Sequence, residues 1–234
     1  MVEFLTSNFH FIVYSFEIIA ALVGIILLPK YKNSFSKYFV YFLTYVVFVE
    51  VIGYTLAYYR NHELLIFIKN AGVSGSTWWY TIFWSIGSIL FFMFYYHGVL
   101  KSQRNKAVIK GISAMFFVSA ILYLIIYSSQ VSRSFSPFLQ ITGACALLVC
   151  LVSYFTELLQ SNLVLDFKRL LSFYISVAIF TWWLVITPLV FFEIYNTTDD
   201  WDYANLKRLI FLFTNVFMYT CFTIGLIVSK PKYD

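Results

Sequence analysis

Apolar residues along this chain fall into seven long runs separated by shorter polar connections: Phe11–Leu28, Tyr38–Tyr59, Trp78–Leu100, Ala107–Tyr127, Pro137–Thr156, Leu171–Phe192 and Leu209–Val228. At about 1.5 Å per residue a run of roughly 20 covers the ~30 Å hydrocarbon core of a bilayer, so each run predicts one crossing helix. Strands are excluded, because lipid cannot satisfy exposed backbone groups and the period-2 alternation of a membrane barrel is missing. The expected fold is therefore all-α, a single seven-transmembrane-helix domain over residues 1–234. Lys110, near the start of the fourth run, must either snorkel to the headgroups or mark a helix that begins nearer Gly111. Pro188 lies within the sixth run and predicts a bend or local opening there, since it removes a backbone donor and crowds a carbonyl one turn back.

Composition narrows the picture further. The chain is 61% hydrophobic and 12% charged. Once the seven runs are placed, nearly 90 residues are left for all connections and both ends, too few for a separate soluble domain. Lys30, Lys32, Lys37, Lys101, Arg104, Lys106, Lys110, Lys168, Arg169, Lys230 and Lys232 fall on one side of the alternating runs, and Arg60, Lys69, Arg133, Lys207 and Arg208 on the other. The positive-inside rule then puts the N-terminus outside and the C-terminus in the cytoplasm of a multi-pass inner-membrane protein. The net charge of +5 reads as topology and contact with anionic lipid; scattered among loops, it does not describe a nucleic-acid surface. Met1–Thr6 lacks a basic leader, so the first run is read as a retained span. Cys145, Cys150 and Cys221 lie in the runs without a C-x-x-C spacing and read as small buried core residues. No metal or other cofactor is expected.

Two connections carry further signals. Residues 60–77 combine the apolar stretch Leu64–Ile68 with Gly72 and Gly75, which suggests a short interfacial helix followed by a turn. Residues 193–208 hold Asp199, Asp200 and Asp202 before Lys207 and Arg208, the charge order of a helix N-terminus; a calcium contact needs more oxygen donors than these. The length also suits two three-helix repeats around a linker helix, but the paired span prolines of small sugar transporters are absent.

Two carboxylates lie deep in the runs. Glu17 and Glu50 each stand about two residues to the outer side of their span's centre, at matching expected depth. A charged acid there costs on the order of 2.5–3.5 kcal/mol on insertion scales, so each must face other helices or a wet cavity, or be protonated. If the two approach one another, one proton or a cation would be shared between them. His10, Tyr14 and Glu17 recur at helical spacing, and Ala21 and Gly24 continue that face inward. Gly53, Tyr54 and Ala57 accompany Glu50; Thr81, Ser85 and Ser88 form a stripe on the third helix, and Asn215, Tyr219 and Thr223 on the seventh. These stripes predict an outward-biased polar lining, although small and hydroxyl residues also serve as packing seams. Trp182 and Trp183 lie deeper than an aromatic belt and either pack or line a cavity, whereas Trp78, Trp79 and Tyr80 sit where a belt belongs. His97 reads as an interfacial residue.

Enzymatic signatures are missing. The His residues stand at 10, 62 and 97 without an H-E-x-x-H, and Trp84-Ser-Ile-Gly-Ser88 is followed by only one His, at the membrane surface, so neither a zinc hydrolase nor a serine nucleophile is indicated. The seventh run has no interior Lys for a retinal Schiff base. The span plan looks like that of seven-helix receptors. Glu50-Val-Ile-Gly53, the aromatic third run ending Phe94-Tyr-Tyr-His-Gly98 before a basic loop, and Tyr154-Phe with Phe180-Thr-Trp-Trp183 resemble small seven-helix membrane proteins of Gram-negative bacteria. That resemblance carries over no functional residue.

The expected function is a membrane sensor or signalling subunit that responds to a small ligand or membrane state and acts through a separate membrane or cytoplasmic partner or a homo-oligomer. Glu17 and Glu50 are the expected switch. The alternatives are a proton- or cation-coupled carrier or oligomeric pore using the same acids, and a structural membrane subunit; none is an enzyme.

Overall fold

In the computed structural model, residues 2–58, 76–131, 136–193 and 201–231 are described. Helix dominates and no strand occurs among them. The elements are α1 (Val2–Ser7), α2 (Phe9–Tyr31), α3 (Lys37–Tyr58), α4 (Thr77–Val99, whose middle Tyr80–Ile86 is a π-helix), α5 (Gln103–Ile126), α6 (Ser128–Val131), α7 (Pro137–Leu159), a 3-10 helix (Asn162–Arg169), α8 (Leu171–Glu193) and α9 (Trp201–Val228). Seven of these helices are long and apolar enough to cross a membrane, so the chain is a multi-pass, seven-helix membrane protein.

Several helices outrun the apolar runs, and at the starts of α5 and α7 a serine cap sets the boundary. α5 begins at Gln103, not at Ala107 or Gly111: Ser102 accepts a hydrogen bond from the Asn105 backbone N–H at 3.5 Å. Its 24 residues extend about 36 Å. Arg104, Lys106 and Lys110 therefore occupy its first two turns. α7 starts where expected, with Ser136 accepting from Leu139 N–H at 3.3 Å and Pro137 in the first helical position, which lacks a partner for an N–H anyway. α9 begins at Trp201, two turns before the predicted Leu209, and α2 runs through Pro29. α8 likewise continues through Pro188, so no opening interrupts it. The expected interfacial helix at 64–68, His62, Gly72, Gly75, Asp199 and Asp200 lie outside the described residues.

The chain divides into two compact units, one of residues 1–44 and 155–234, the other of 45–154; the divisions fall inside α3 and α7. In the first unit α9 packs along both α2 and α8. Glycines line these contacts: a Cβ on Gly225 of α9 would lie 2.7 Å from Tyr174 Cβ of α8, and one on Gly24 of α2 would lie 3.6 Å from Leu226 of α9. Phe222 of α9 meets Phe39 of α3 edge-on at 4.9 Å.

The end of α9 is held by α2. Lys30 Nζ donates to the carbonyls of Leu226 and Ile227 at 2.9 and 3.0 Å, and the buried Tyr31 hydroxyl donates to Leu226 O at 2.7 Å and pairs with Ser229 Oγ at 2.6 Å. A cation at a helix C-terminus offsets the macrodipole and satisfies carbonyls that have no intrahelical partner. Lys30→Met, which keeps the stem, should cost about 1–2 kcal/mol in reversible unfolding from mixed micelles, with Lys30→Arg close to the parent. Equal loss in both variants would show that the ammonium is not the stabilising group.

In the second unit α4 packs against α5, and Ile89 of α4 fills the space beside Gly143 of α7. Tyr96 contacts Tyr154 at 5.8 Å between ring centroids, and Tyr123 stacks on Phe138 at 5.2 Å.

Candidate functional site

Each deep carboxylate accepts a tyrosine O–H from another helix of its own unit. In the first unit Glu17 is 2% exposed, and Tyr219 of α9 donates to its Oε2 at 3.0 Å. One turn before Tyr219, Asn215 accepts from the indole N–H of Trp182 at 3.1 Å while its own amide donates to Phe211 O at 2.8 Å. Trp182, 6% exposed, is thus packed against α9 by a specific polar contact. On the seventh helix Asn215 and Tyr219 are buried, and the half-buried Thr223 bonds back to Tyr219 O at 2.8 Å. On α2, Ala21 and Gly24 are buried below Glu17 and Tyr14 is half-buried, but His10, expected on the same polar lining, is exposed near the start of the helix, its ring 5.1 Å from Phe9 and 5.7 Å from Tyr14.

In the second unit the half-buried Glu50 accepts the Tyr80 hydroxyl at Oε2, 3.1 Å away. A Cβ on Gly53, one turn along α3, would run into the Tyr80 ring, so glycine is what lets the ring lie against α3. Trp79 adds an indole N–H bond to Val49 O at 2.9 Å. The expected aromatic belt is therefore partly turned inward: Trp79 and Tyr80 clasp α3 around Glu50. Tyr54 is 59% exposed and stacks on Tyr58, and Ala57 is exposed too. Of the residues grouped with Glu50 in the sequence, only Gly53 shares its contact with α4.

Tyr80 also opens the π-helix, whose cause can be named. In an α-helix the Phe83 carbonyl would accept the Gly87 N–H. Here the Tyr45 hydroxyl takes Phe83 O at 2.6 Å, and Gly87 N–H bonds to Ile82 O five residues back. Gly87 makes room, since a Cβ there would lie 2.7 Å from the Tyr45 hydroxyl. A side chain inserted into the helical ladder thus widens the turn. The widened turn also shifts the Thr81–Ser85–Ser88 stripe: Thr81 and Ser85 are buried and Ser88 is half-buried. Thr81 bonds back to Thr77 O at 2.9 Å.

The cysteines divide by environment: Cys150 is buried, Cys221 half-buried and Cys145 exposed on its helix, which corrects the expectation of three buried residues. Cys145 points away from the face of α7 that carries Gly143, Ala146 and Leu147. Among the described residues no group of His, Cys, Asp and Glu could hold a metal ion.

Chemically, each site pairs a carboxylate acceptor with a phenol donor from a neighbouring helix. An ionised carboxylate is a stronger acceptor for a phenol than a neutral carboxyl, so protonation weakens the contact between helices. Tyr45, Trp79 and Tyr80 were not singled out as site residues by the sequence; the available signal was a glycine one turn from Glu50 and another beside Ser88. Neither protein-family models, curated proteins nor solved structures match this chain.

Proposed function

We propose that the chain is a sensor or signalling subunit of an inner membrane, in which protonation or cation binding at Glu50 changes the seating of α4 on α3 and the resulting helix shift is passed to a separate partner. The observation that carries this reading is the Tyr80 hydroxyl bond to Glu50 at the first residue of a π-helix. π-Turns inside α-helices occur frequently at functional sites. Glu17 with Tyr219 is a second latch, in the other unit. Each latch has its own donor, so the reading does not require one proton to be shared between the two acids.

The test follows Trp79, which bonds Val49 next to Glu50. In the full chain labelled with fluorotryptophan, the Trp79 fluorine resonance, assigned with Trp79→Phe, should move with pH in the parent and stay constant in Glu50→Gln. A parent-like titration in Glu50→Gln would remove the switch.

A proton-coupled carrier is the second reading, and the depth of Glu17 favours it. In proteoliposomes holding a pH-sensitive dye, proton entry under an imposed gradient that is lost in both Glu17→Gln and Glu50→Gln would replace signalling with transport. A chain that shows neither the titration nor proton entry would be a structural subunit.

A further inference from the structure

The C-terminal end of α9 gathers cations from stretches far apart in the chain. The Lys230 backbone N–H donates to Arg169 O at 2.8 Å, which ties the end of the last helix to the end of the 3-10 helix. Lys30 reaches the same helix end from α2. Among the described residues, the connections at this end of the first unit hold Lys30, Lys32, Lys37, Lys168, Arg169 and Lys230 against Glu157 and Asp166. Lys30 is directed to the carbonyls of α9, where it offsets the negative pole of the helix. Asp166 pairs with Arg169 at 3.1 Å. Lys168, Arg169 and Lys230 are all exposed, and the single carboxylate paired among them, Asp166, leaves the surface net cationic.

An apolar group stands beside these charges. Leu165, on the 3-10 helix, is 85% exposed, directly before Asp166 and Phe167. A soluble anion has no use for an exposed leucine, whereas a phospholipid presents a phosphate and an acyl chain together. Long Lys and Arg stems bridge the corresponding depths by snorkelling.

We propose that this end of the first unit is a binding surface for anionic phospholipid, with the phosphate and headgroup held by Lys168, Arg169 and Lys230 and the upper acyl chain lying against Leu165. It is the end that the distribution of Lys and Arg assigns to the cytoplasm, where a leaflet rich in anionic lipid would meet it.

Native mass spectrometry of the full chain, titrated with phosphatidylglycerol in a neutral detergent, tests this. Each cation near a membrane surface contributes roughly fivefold in affinity, so Lys168→Ala with Arg169→Ala and Lys230→Ala should weaken binding by roughly a hundredfold. The charge-conserving set Lys168→Arg, Arg169→Lys and Lys230→Arg should bind like the parent. Removal of Lys101, Arg104 and Lys106, cations of the second unit, should change little. Leu165→Asn, which leaves every cation in place, should also weaken phosphatidylglycerol and serves if the triple variant fails to fold. Equal weakening by the two alanine triples, or parent-like affinity in both the first triple and Leu165→Asn, would overturn the proposal. So would glycerol phosphate competing as well as the lipid, since the surface would then be a site for a free phosphate.

Discussion

Alanine at Gly53 should lower the unfolding free energy by about 2 kcal/mol, and the same substitution should raise it by up to about 1 kcal/mol when Tyr80 is already alanine. The added Cβ enters the space of the Tyr80 ring, touching its Cζ, hydroxyl and Cε2. The far end of a tyrosine could normally swing aside at small cost, but this hydroxyl is committed to Glu50. Overpacking costs about 1–3 kcal/mol, and a hydrogen bond to a charged group is worth about 1.5–3 kcal/mol. Against these stands the gain of about 1 kcal/mol in helix propensity when glycine becomes alanine. The loss wins by about 2 kcal/mol only while Tyr80 is there to be displaced. A double-mutant cycle in reversible mixed-micelle unfolding measures this, and coupling above about 1 kcal/mol is expected. Strictly additive losses would mean that Tyr80 does not occupy the space beside Gly53. In Gly53→Ala alone, the Trp79 fluorine resonance should resemble that of Tyr80→Phe, because both changes break the same latch.

Tyr219→Phe should cost about 2 kcal/mol, more than Glu17→Gln. Removing the phenol takes one hydrogen-bond donor from an acid that is 2% exposed, and a buried acceptor that loses a donor bears part of its desolvation penalty. Glutamine keeps an amide oxygen for Tyr219 and removes the formal charge, so its cost is smaller. The two changes together should cost less than their sum, because the second removes a partner already lost. Urea or SDS titration of the four proteins in the cycle tests the point. A Tyr219→Phe loss below about 0.5 kcal/mol would show that the phenol contributes little to holding Glu17.

The neighbourhood of Glu17 was legible because it rests on helical periodicity. Tyr14 and Glu17 on one helix and Asn215 and Tyr219 on another are spaced to share a face, and an acid at that depth must turn inward, whereas His10, one turn before Tyr14, is exposed. The pairing of Glu17 with Tyr219, and of Trp182 with Asn215, needed the packing of α2, α8 and α9 to be known. Around Glu50 the same reasoning reached less far. Tyr54 has the right spacing yet is exposed, and Tyr80 looked like a headgroup anchor yet bonds the acid. Periodicity gives the face of one helix but not which neighbour covers each part of it.

What the linear pattern alone determined is the number of membrane-spanning helices and their approximate extents, since about 20 apolar residues crossing lipid have only a helix available to them. The starts of α5 and α7 followed from local capping by Ser102 and Ser136. The π-turn in α4, the clasp of Lys30 and Tyr31 on the end of α9, and the donor to each acid were decided only by tertiary structure. Each depends on a hydroxyl or ammonium from a distant part of the chain taking a backbone carbonyl or a carboxylate, and a contact of that kind leaves no period in the sequence.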